Sequence, residues 1–309
     1  MIANLKVVVL VYLMLQGCNG QGNSSKSEEK LGELPLVAKG ETLKLVSSNF
    51  KFTEGPAADS AGNVFFTDQP NNRIMKWDAA TNSISVFLQP AGRSNGLYFD
   101  NEGNLLACAD EKFELWKIDK NKEVTILLDN FENKNFNGPN DMWLDDKGGI
   151  YFTDPYYQRP YWNRKESEIG SANVYYLTPD YSNVTIVAEG LEKPNGIIGT
   201  PDSKTLYISD NGAKKTFSFK IDIDASLSNK TMFVEVGSDG MTIDNLGNIY
   251  VTNNKGVTAF NKDGKEVLNI PTGQGWTANV TFGGPERNVL FITAMTSVYT
   301  LKMNVKGVK

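Results

Sequence analysis

Six side chains that carry oxygen recur at one phase of six successive strand-like repeats in this sequence. Each lies five residues before a turn that contains Gly, Pro or Asp, as in the segment from Glu54 to Asp59. Six such positions at one phase predict a ring of oxygens around a common axis. Because carboxylate and amide oxygens suit hard cations, we expect a divalent metal there, with Ca²⁺ the best match. This oxygen ring consists of Glu54, Asn95, Asn140, Asn195, Asp239 and Asn279.

The composition of the 309-residue chain excludes several other chemistries. The chain has no histidine, which rules out histidine general bases, histidine-ligated zinc and Ser-His-Asp triads. Its formal net charge of −5 gives no sign of the basic surface that nucleic-acid-binding proteins have, so no nucleic-acid partner is expected. An apolar content of 40% and a charged content of 22% are typical of a globular protein with a sizeable core.

The first 18 residues predict a lipoprotein signal peptide. Lys6 precedes an apolar run, residues 7–15, that is too short to span a bilayer as a helix. The run ends in Leu15-Gln16-Gly17-Cys18, which resembles a bacterial lipobox with Cys18 as the lipidated residue. An ordinary secretory signal with a chance cysteine is the alternative. Asn19 is not the aspartate that retains lipoproteins in the inner membrane, so we expect a lipid anchor in the outer membrane of a bacterial cell envelope, facing the periplasm.

Residues 19–35 predict a flexible tether, since they are polar, rich in Gly and Ser, and without periodicity. The chain therefore divides into a signal peptide (1–18), a tether (19–35) and one folded domain (36–309). If Cys18 carries lipid, Cys108 is the only other thiol and no intrachain disulfide can form. Cys108 lies in an apolar run and is expected to be a small buried residue.

The strand repeats predict an all-β fold, a six-bladed β-propeller. Units recur every 41 to 56 residues or so, the spacing of four-stranded blades, and no amphipathic helix interrupts them. The last unit lacks its outermost strand, and residues 42–46 can supply it, which closes the ring of blades with an N-terminal strand. Asp68, Asp154 and Asp210 recur at the ends of second strands, a pattern that favours turn hydrogen bonds over orientation of metal ligands.

One connection between strands is much longer than the others and is rich in aromatic residues. Antiparallel strands place second-to-third-strand connections at the mouth above the oxygen ring. The long connection, residues 155–172, is therefore interpreted as a wall or lid, in which Tyr156, Tyr157 and Trp162 stack on a sugar-like substrate. A surface loop that packs its aromatics against a neighbouring blade is equally compatible with the sequence.

Six short motifs occur in order at the spacing of the blades, and together they resemble the gluconolactonase / senescence-marker-protein-30 family from about Leu43 onward. The motifs are Glu54-Gly55-Pro56, Arg93-Ser94-Asn95-Gly96, Gly138-Pro139-Asn140-Asp141, Tyr151-Phe152-Thr153-Asp154-Pro155, Pro194-Asn195-Gly196 and Ser238-Asp239-Gly240-Met241. The resemblance implies a six-bladed propeller that binds a divalent cation in its central channel and hydrolyses sugar lactones. By resemblance, the metal ligands are Glu54, Asn140, Asn195 and Asp239.

Two departures from the family pattern indicate altered substrate recognition beside a complete metal site. Ala109 and Asp110 stand where the gluconolactonase branch has Glu-His, and Asn135 stands where it has arginine.

We therefore expect a divalent-metal-dependent hydrolase of sugar lactones or related cyclic esters, with a small sugar-lactone-like substrate and contact with a membrane only through the lipid. Asp239 is the expected general base, because one carboxylate oxygen can ligate while the other accepts a proton from water. Asn95 and Asn279 would hydrogen-bond substrate hydroxyls or ordered water, and Glu54 would be a structural ligand. Two alternatives remain: a non-enzymatic propeller, rigidified by metal, that binds a glycan or protein, and a phosphotriesterase-like hydrolase.

Overall fold

The computed structural model describes residues 35–308, and it confirms the predicted all-β propeller. Six four-stranded antiparallel sheets form the six blades. The predicted signal peptide, the lipidation site Cys18 and the tether up to residue 34 lie outside the described residues. Among residues 35–308, no helix has the length and apolar character needed to cross a membrane.

The strands follow one another from the innermost to the outermost position of each blade, apart from the N-terminal strand. That strand is β1 (Lys44–Ser47). Blade one contains β2 (Thr53–Ala58), β3 (Val64–Asp68), β4 (Arg73–Asp78) and β5 (Ser83–Leu88). Blade two contains β6 (Leu97–Phe99), β7 (Leu105–Ala109), β8 (Glu114–Ile118) and β9 (Val124–Leu128). Blade three contains β10 (Met142–Leu144), β11 (Ile150–Asp154), β12 (Ala172–Leu177) and β13 (Val184–Leu191). Blade four contains β14 (Pro194–Gly199), β15 (Thr205–Asp210), β16 (Lys215–Ile221) and β17 (Leu227–Val234). Blade five contains β18 (Met241–Ile243), β19 (Ile249–Asn253), β20 (Gly256–Phe260) and β21 (Glu266–Ile270). Blade six contains β22 (Asn279–Gly283), β23 (Val289–Ala294) and β24 (Ser297–Lys302).

The N-terminal strand completes blade six, as the sequence predicts. Strand β1 pairs antiparallel with β24, with Lys44 opposite Thr300 and Leu45 opposite Tyr299. The strand begins two residues later than the predicted segment 42–46. The preceding residues also contact this blade, since the backbone N–H of Asn304 donates to the carbonyl of Leu36. The first and last parts of the described chain are thus joined in one sheet, which closes the ring of blades.

Glycines allow the innermost strands of neighbouring blades to approach closely around the channel. A Cβ atom on Gly96 would lie 2.6 Å from the carbonyl oxygen of Asn140, and one on Gly196 would lie 2.6 Å from that of Asp239. Either distance is too short for a real contact, so only glycine fits at these positions. The glycine that follows an oxygen-ring residue in several motifs is therefore a packing requirement between blades.

A second contact between blades comes from threonine hydroxyls on the second strands. Thr153 donates its hydroxyl to the carbonyl of Asn195 at 2.8 Å, and Thr252 donates in the same way to Ala278 at 2.8 Å. The carboxylate of Asp154 accepts the backbone N–H groups of Asn137 and Gly138. Asp68 and Asp210 accept backbone N–H groups at the same place in blades one and four. The prediction that these three aspartates serve turn hydrogen bonds is confirmed.

The apolar core lies between adjacent blades rather than within one of them. Cys108 is fully buried and packs in a cluster with Phe152 and Tyr175, on strands from blades two and three. Its expected role as a small buried residue is confirmed, and burial raises the pKa of its thiol. Packing on both faces of each blade keeps the innermost strands, and the side chains at their starts, in fixed positions.

Candidate functional site

A cavity of about 220 Å³ opens at the end of the channel where the innermost strands begin. Five of the six predicted oxygen-ring residues line it. The remaining wall comes from loops at the same end: those that follow second strands, and those that connect one blade to the next. The eleven wall residues are Phe52, Glu54, Gln69, Asn95, Asn140, Tyr157, Arg159, Asn195, Asn211, Asp239 and Trp276.

Two buried carboxylates lie in this cavity. Glu54 and Asp239 are 5% and 8% exposed. Burial, together with the negative charge of Asp239, raises the pKa of Glu54 well above its usual value. Burial raises the pKa of Asp239 to about 6, and hydrogen bonds from Trp276 and Asn195 limit the rise. Two desolvated carboxylates that repel each other are a costly arrangement unless a positive charge is bound between them.

The amides of the oxygen ring add neutral oxygen ligands to the carboxylates. Asn95 and Asn140 are buried, and within residues 35–308 their side-chain amides make no hydrogen bond to another residue. Asn195 donates its amide N–H to the hydroxyl oxygen of Tyr157 at 3.2 Å, which leaves the amide oxygen as an acceptor. Buried polar side chains usually have partners, so uncommitted amides at a cavity indicate a place for a ligand.

The donor set fits a hard cation. Glu54, Asn140, Asn195 and Asp239 offer two carboxylates and two amides, which are oxygen ligands of the kind that Ca²⁺ takes. Among residues 35–308, no group of three or more acidic or thiol side chains could hold a metal. Any cation bound here would therefore rely on the amides as well as on the two carboxylates, and a divalent ion would balance their charge.

The sixth position of the predicted oxygen ring is wrong by one residue. The backbone N–H groups of Asn140 and Asp239 pair with Thr153 and Thr252, and in blade six the equivalent residue is Ala278, which pairs with Thr293. Asn279 lines a different cavity and donates to the carboxylate of Asp141, whose pKa burial raises to about 8. Asn279 is therefore not placed to bind substrate at the mouth, and the oxygen ring has five members.

The long connection of blade three has two parts with different positions. Tyr157 and Arg159 line the cavity, so this part forms a wall, as one of the two interpretations predicts. Trp162 is 4% exposed, and its indole N–H donates to the carbonyl of Asp110 at 3.1 Å. Tyr156 donates its hydroxyl to Gln158 and lies outside the cavity wall. Tyr156 and Trp162 thus follow the alternative of packed aromatics, and of the three predicted stacking residues only Tyr157 reaches the cavity.

Several residues that shape the site are missing from the predicted site residues, among them Arg159, Trp276 and Asp110. Trp276, in the loop before β22, donates its indole N–H to the Oδ2 atom of Asp239 and orients that carboxylate. Asp110 lies behind the wall and accepts hydrogen bonds from Gln69 at 3.0 Å and from the Arg159 Nε atom at 2.7 Å. A signal for Asp110 was present, because it stands at one of the two departures from the family pattern. No pattern in the sequence pointed to Trp276.

A larger cavity of about 860 Å³ lies at the opposite end of the channel. It is lined by the ends of the innermost strands and the first turns of the blades, including Tyr98, Trp143 and Arg287. Size alone does not make it the site. The paired carboxylates Glu54 and Asp239 lie in the smaller cavity, so we assign the chemistry to that end of the channel.

The fold and this site define a six-bladed propeller with an oxygen-lined cavity on its axis. The sequence pattern of the SMP-30/Gluconolactonase/LRE-like family matches residues 52–296, so the chain belongs to this family. A gluconolactonase of Zymomonas mobilis is 27% identical over 296 residues, which cover 86% of this chain and 82% of that protein. A pentonolactonase of Haloferax volcanii is 23% identical over 261 residues, which cover 81% of this chain and 84% of that protein. The solved structure of a gluconolactonase from Xanthomonas campestris matches with a TM-score of 0.80 at 26% identity, over 88% of this chain and 95% of that one.

Proposed function

We propose that this protein hydrolyses sugar lactones or related cyclic esters with the help of a divalent cation, Ca²⁺ being the first candidate. The observation that carries the proposal is the pair of buried carboxylates, Glu54 and Asp239, which share one small cavity with uncommitted amides. Membership of a family whose relatives include a gluconolactonase and a pentonolactonase supports the choice of substrate class. Glu54, Asn140, Asn195 and Asp239 would hold the cation.

When bound, the cation would polarise the lactone carbonyl and balance the charge of the tetrahedral oxyanion. Asp239 would accept the proton of the attacking water. Its Oδ2 atom accepts the indole N–H of Trp276, so the carboxylate is held in one orientation. Without a bound cation, burial raises its pKa to about 6, and a cation on the same carboxylate would lower it, so Asp239 would be ionised and able to accept a proton near neutral pH.

The remaining wall residues would orient the substrate. Asn95 has an uncommitted amide, and Tyr157 presents its ring and hydroxyl from the long connection. A volume of about 220 Å³ is below the usual range for drug-sized ligands, so it suits a molecule of monosaccharide size.

The proposal is tested by comparing Asp239→Asn with Glu54→Gln. Asp239→Asn keeps an oxygen ligand but loses the proton acceptor, so turnover of the best lactone should fall by ~10²–10⁴ at saturating Ca²⁺. Glu54→Gln should act through metal affinity, and excess Ca²⁺ should restore much of its turnover. Glu111→Gln is a matched control, because Glu111 is an acidic residue near the mouth that lies outside the cavity wall.

The assay measures hydrolysis of a panel of lactones with and without chelator, together with calorimetric Ca²⁺ binding. A protein that binds Ca²⁺ but hydrolyses none of the lactones would contradict the proposed activity. Turnover by Asp239→Asn near that of the unchanged protein would show that Asp239 is not the base. If excess Ca²⁺ restored the turnover of both variants equally, Asp239 would act only as a metal ligand.

A further inference from the structure

Arg159 is held in the cavity wall by a buried acidic partner. Its Nε atom donates to the Oδ2 atom of Asp110 at 2.7 Å, and Asp110 is only 2% exposed. Asp110 also accepts the hydroxyl of Tyr161 at 2.7 Å and the amide of Gln69 at 3.0 Å. An arginine anchored by one nitrogen in this way has a defined direction, because little of its side-chain freedom remains.

The two terminal nitrogens of Arg159 are available to a ligand. Within residues 35–308, the hydrogen bonding of this guanidinium is confined to Nε and Asp110. The side chain is 23% exposed and lines the cavity. An anchored guanidinium with both terminal nitrogens uncommitted presents a planar fork of N–H donors, which is the geometry that carboxylates and phosphates bind.

The charges of the wall favour an anion at this position. Three of the eleven wall residues are charged: Glu54, Asp239 and Arg159. A divalent cation held by the first two would balance their charges. The positive charge of Arg159, which Asp110 compensates in part from behind the wall, would then be the remaining charge on the cavity surface. Asp110, which pairs with Arg159, lies behind the wall and is less accessible to a ligand than the Arg159 guanidinium.

We propose that Arg159 determines substrate specificity by binding an anionic substituent of the lactone, a carboxylate or a phosphate. This inference rests on the proposed function and narrows its substrate class. The arginine comes from the long connection of blade three, and it stands beside Asp110, one of the two departures from the family pattern. Asp110, where this chain departs from the family pattern, thus orients Arg159 toward the substrate.

The test compares three lactones: δ-gluconolactone, which is neutral; glucaro-1,4-lactone, which carries a carboxylate; and 6-phosphogluconolactone, which carries a phosphate. The unchanged protein should favour at least one of the two anionic lactones. In Arg159→Gln, the KM for that lactone should rise about 10–100-fold, as expected for the loss of hydrogen bonds to a charged group. Its kcat should change little, and kcat/KM for the neutral lactone should stay within about threefold, since that substrate does not use the charge.

Two control variants separate recognition from loop structure. Tyr161→Phe removes one hydrogen bond to Asp110 but leaves the charged wall residues in place, so the preference among lactones should not change. Arg93→Gln removes a positive charge that lies 4.4 Å from the Tyr161 ring and outside the cavity wall, and the preference should again be kept. An equal loss of kcat/KM for all three lactones in Arg159→Gln, with a lowered melting temperature, would overturn the proposal.

A binding measurement separates this inference from the proposed function. D-glucuronate has one carboxylate and no lactone bond, so calorimetric titration with Ca²⁺ present tests recognition without catalysis. Arg159-dependent binding of D-glucuronate by a protein that hydrolyses no lactone would refute the proposed activity and support the role of Arg159. Hydrolysis with the same substrate preference in the unchanged protein and in Arg159→Gln would support the activity and refute the role of Arg159.

Discussion

Gly196→Ala tests whether contact between blades sets the position of the candidate metal ligand Asp239. The new Cβ atom would lie 2.6 Å from the carbonyl oxygen of Asp239 and 2.7 Å from the Cγ atom of Met241. The Met241 side chain can rotate, but the carbonyl belongs to the backbone, so blades four and five must separate by several tenths of an ångström. Overpacking of this kind typically costs about 1–3 kcal/mol. For a domain of this size, the melting temperature should fall by about 2–12 °C.

Displacement of the Asp239 backbone should also weaken metal binding. We expect Ca²⁺ affinity to fall by about 10-fold, at the lower end of the effects seen when a residue that supports a metal ligand is changed. Calorimetric titration of Ca²⁺ and thermal unfolding with chelator present measure the two effects separately.

Gly275→Ala is the matched control. A Cβ atom on Gly275 meets no other atom within 4 Å, and its backbone does not adopt a positive φ. The change should be neutral or should stabilise the protein by about 0.4–1 kcal/mol, because it restricts the unfolded chain. Equal melting temperatures and equal Ca²⁺ affinities for the two alanine variants would refute the reasoning.

Three further predictions follow from the closure, the site and the N terminus. Deletion of residues 1–49 removes the outer strand of blade six, so it should lower the melting temperature sharply and promote aggregation. Deletion of residues 1–34 should leave the melting temperature nearly unchanged. Similar melting temperatures for the two deletion variants would contradict the closure. Trp276→Phe removes the indole N–H that Asp239 accepts, so the pKa of Asp239 should rise above about 6. Protons should then compete with Ca²⁺ up to a higher pH. A loss of Ca²⁺ affinity that is no larger at pH 6 than at pH 8 would contradict this role of Trp276. Cys18→Ser should abolish acylation and shift the protein out of the membrane fraction. Unchanged partitioning of this variant would contradict the predicted lipid anchor in the bacterial cell envelope.

Several features of this protein could be predicted from local sequence patterns. The absence of histidine excluded whole classes of mechanism without any structure. The strand repeats predicted the number of blades and the N-terminal closure, because strand pairing and turn chemistry leave signals within a few residues. Five of the six oxygen-ring positions were predicted for the same reason, since each lies at or just before the start of an inner strand and five residues before the turn that follows it.

The error in blade six shows where this local reasoning fails. In Ala278-Asn279 the polar residue follows the true ring position, and a search for oxygen-bearing side chains selects Asn279. The hydrogen bond between the Ala278 N–H and Thr293 sets the phase, and it joins residues 15 apart on two strands. The identity of a side chain therefore cannot by itself establish which face of the channel it occupies.

The wall of the cavity was decided by contacts between distant parts of the chain. Arg159 and Asp110 are 49 residues apart and belong to different blades, and Trp276 and Asp239 are 37 residues apart. A loop has no repeating pattern of its own, so its conformation depends on the surface against which it packs. The sequence by itself determined the propeller, its closure and the oxygen chemistry on its axis. Only the tertiary structure decided which loop residues face that chemistry, because their positions depend on packing between blades and not on order along the chain.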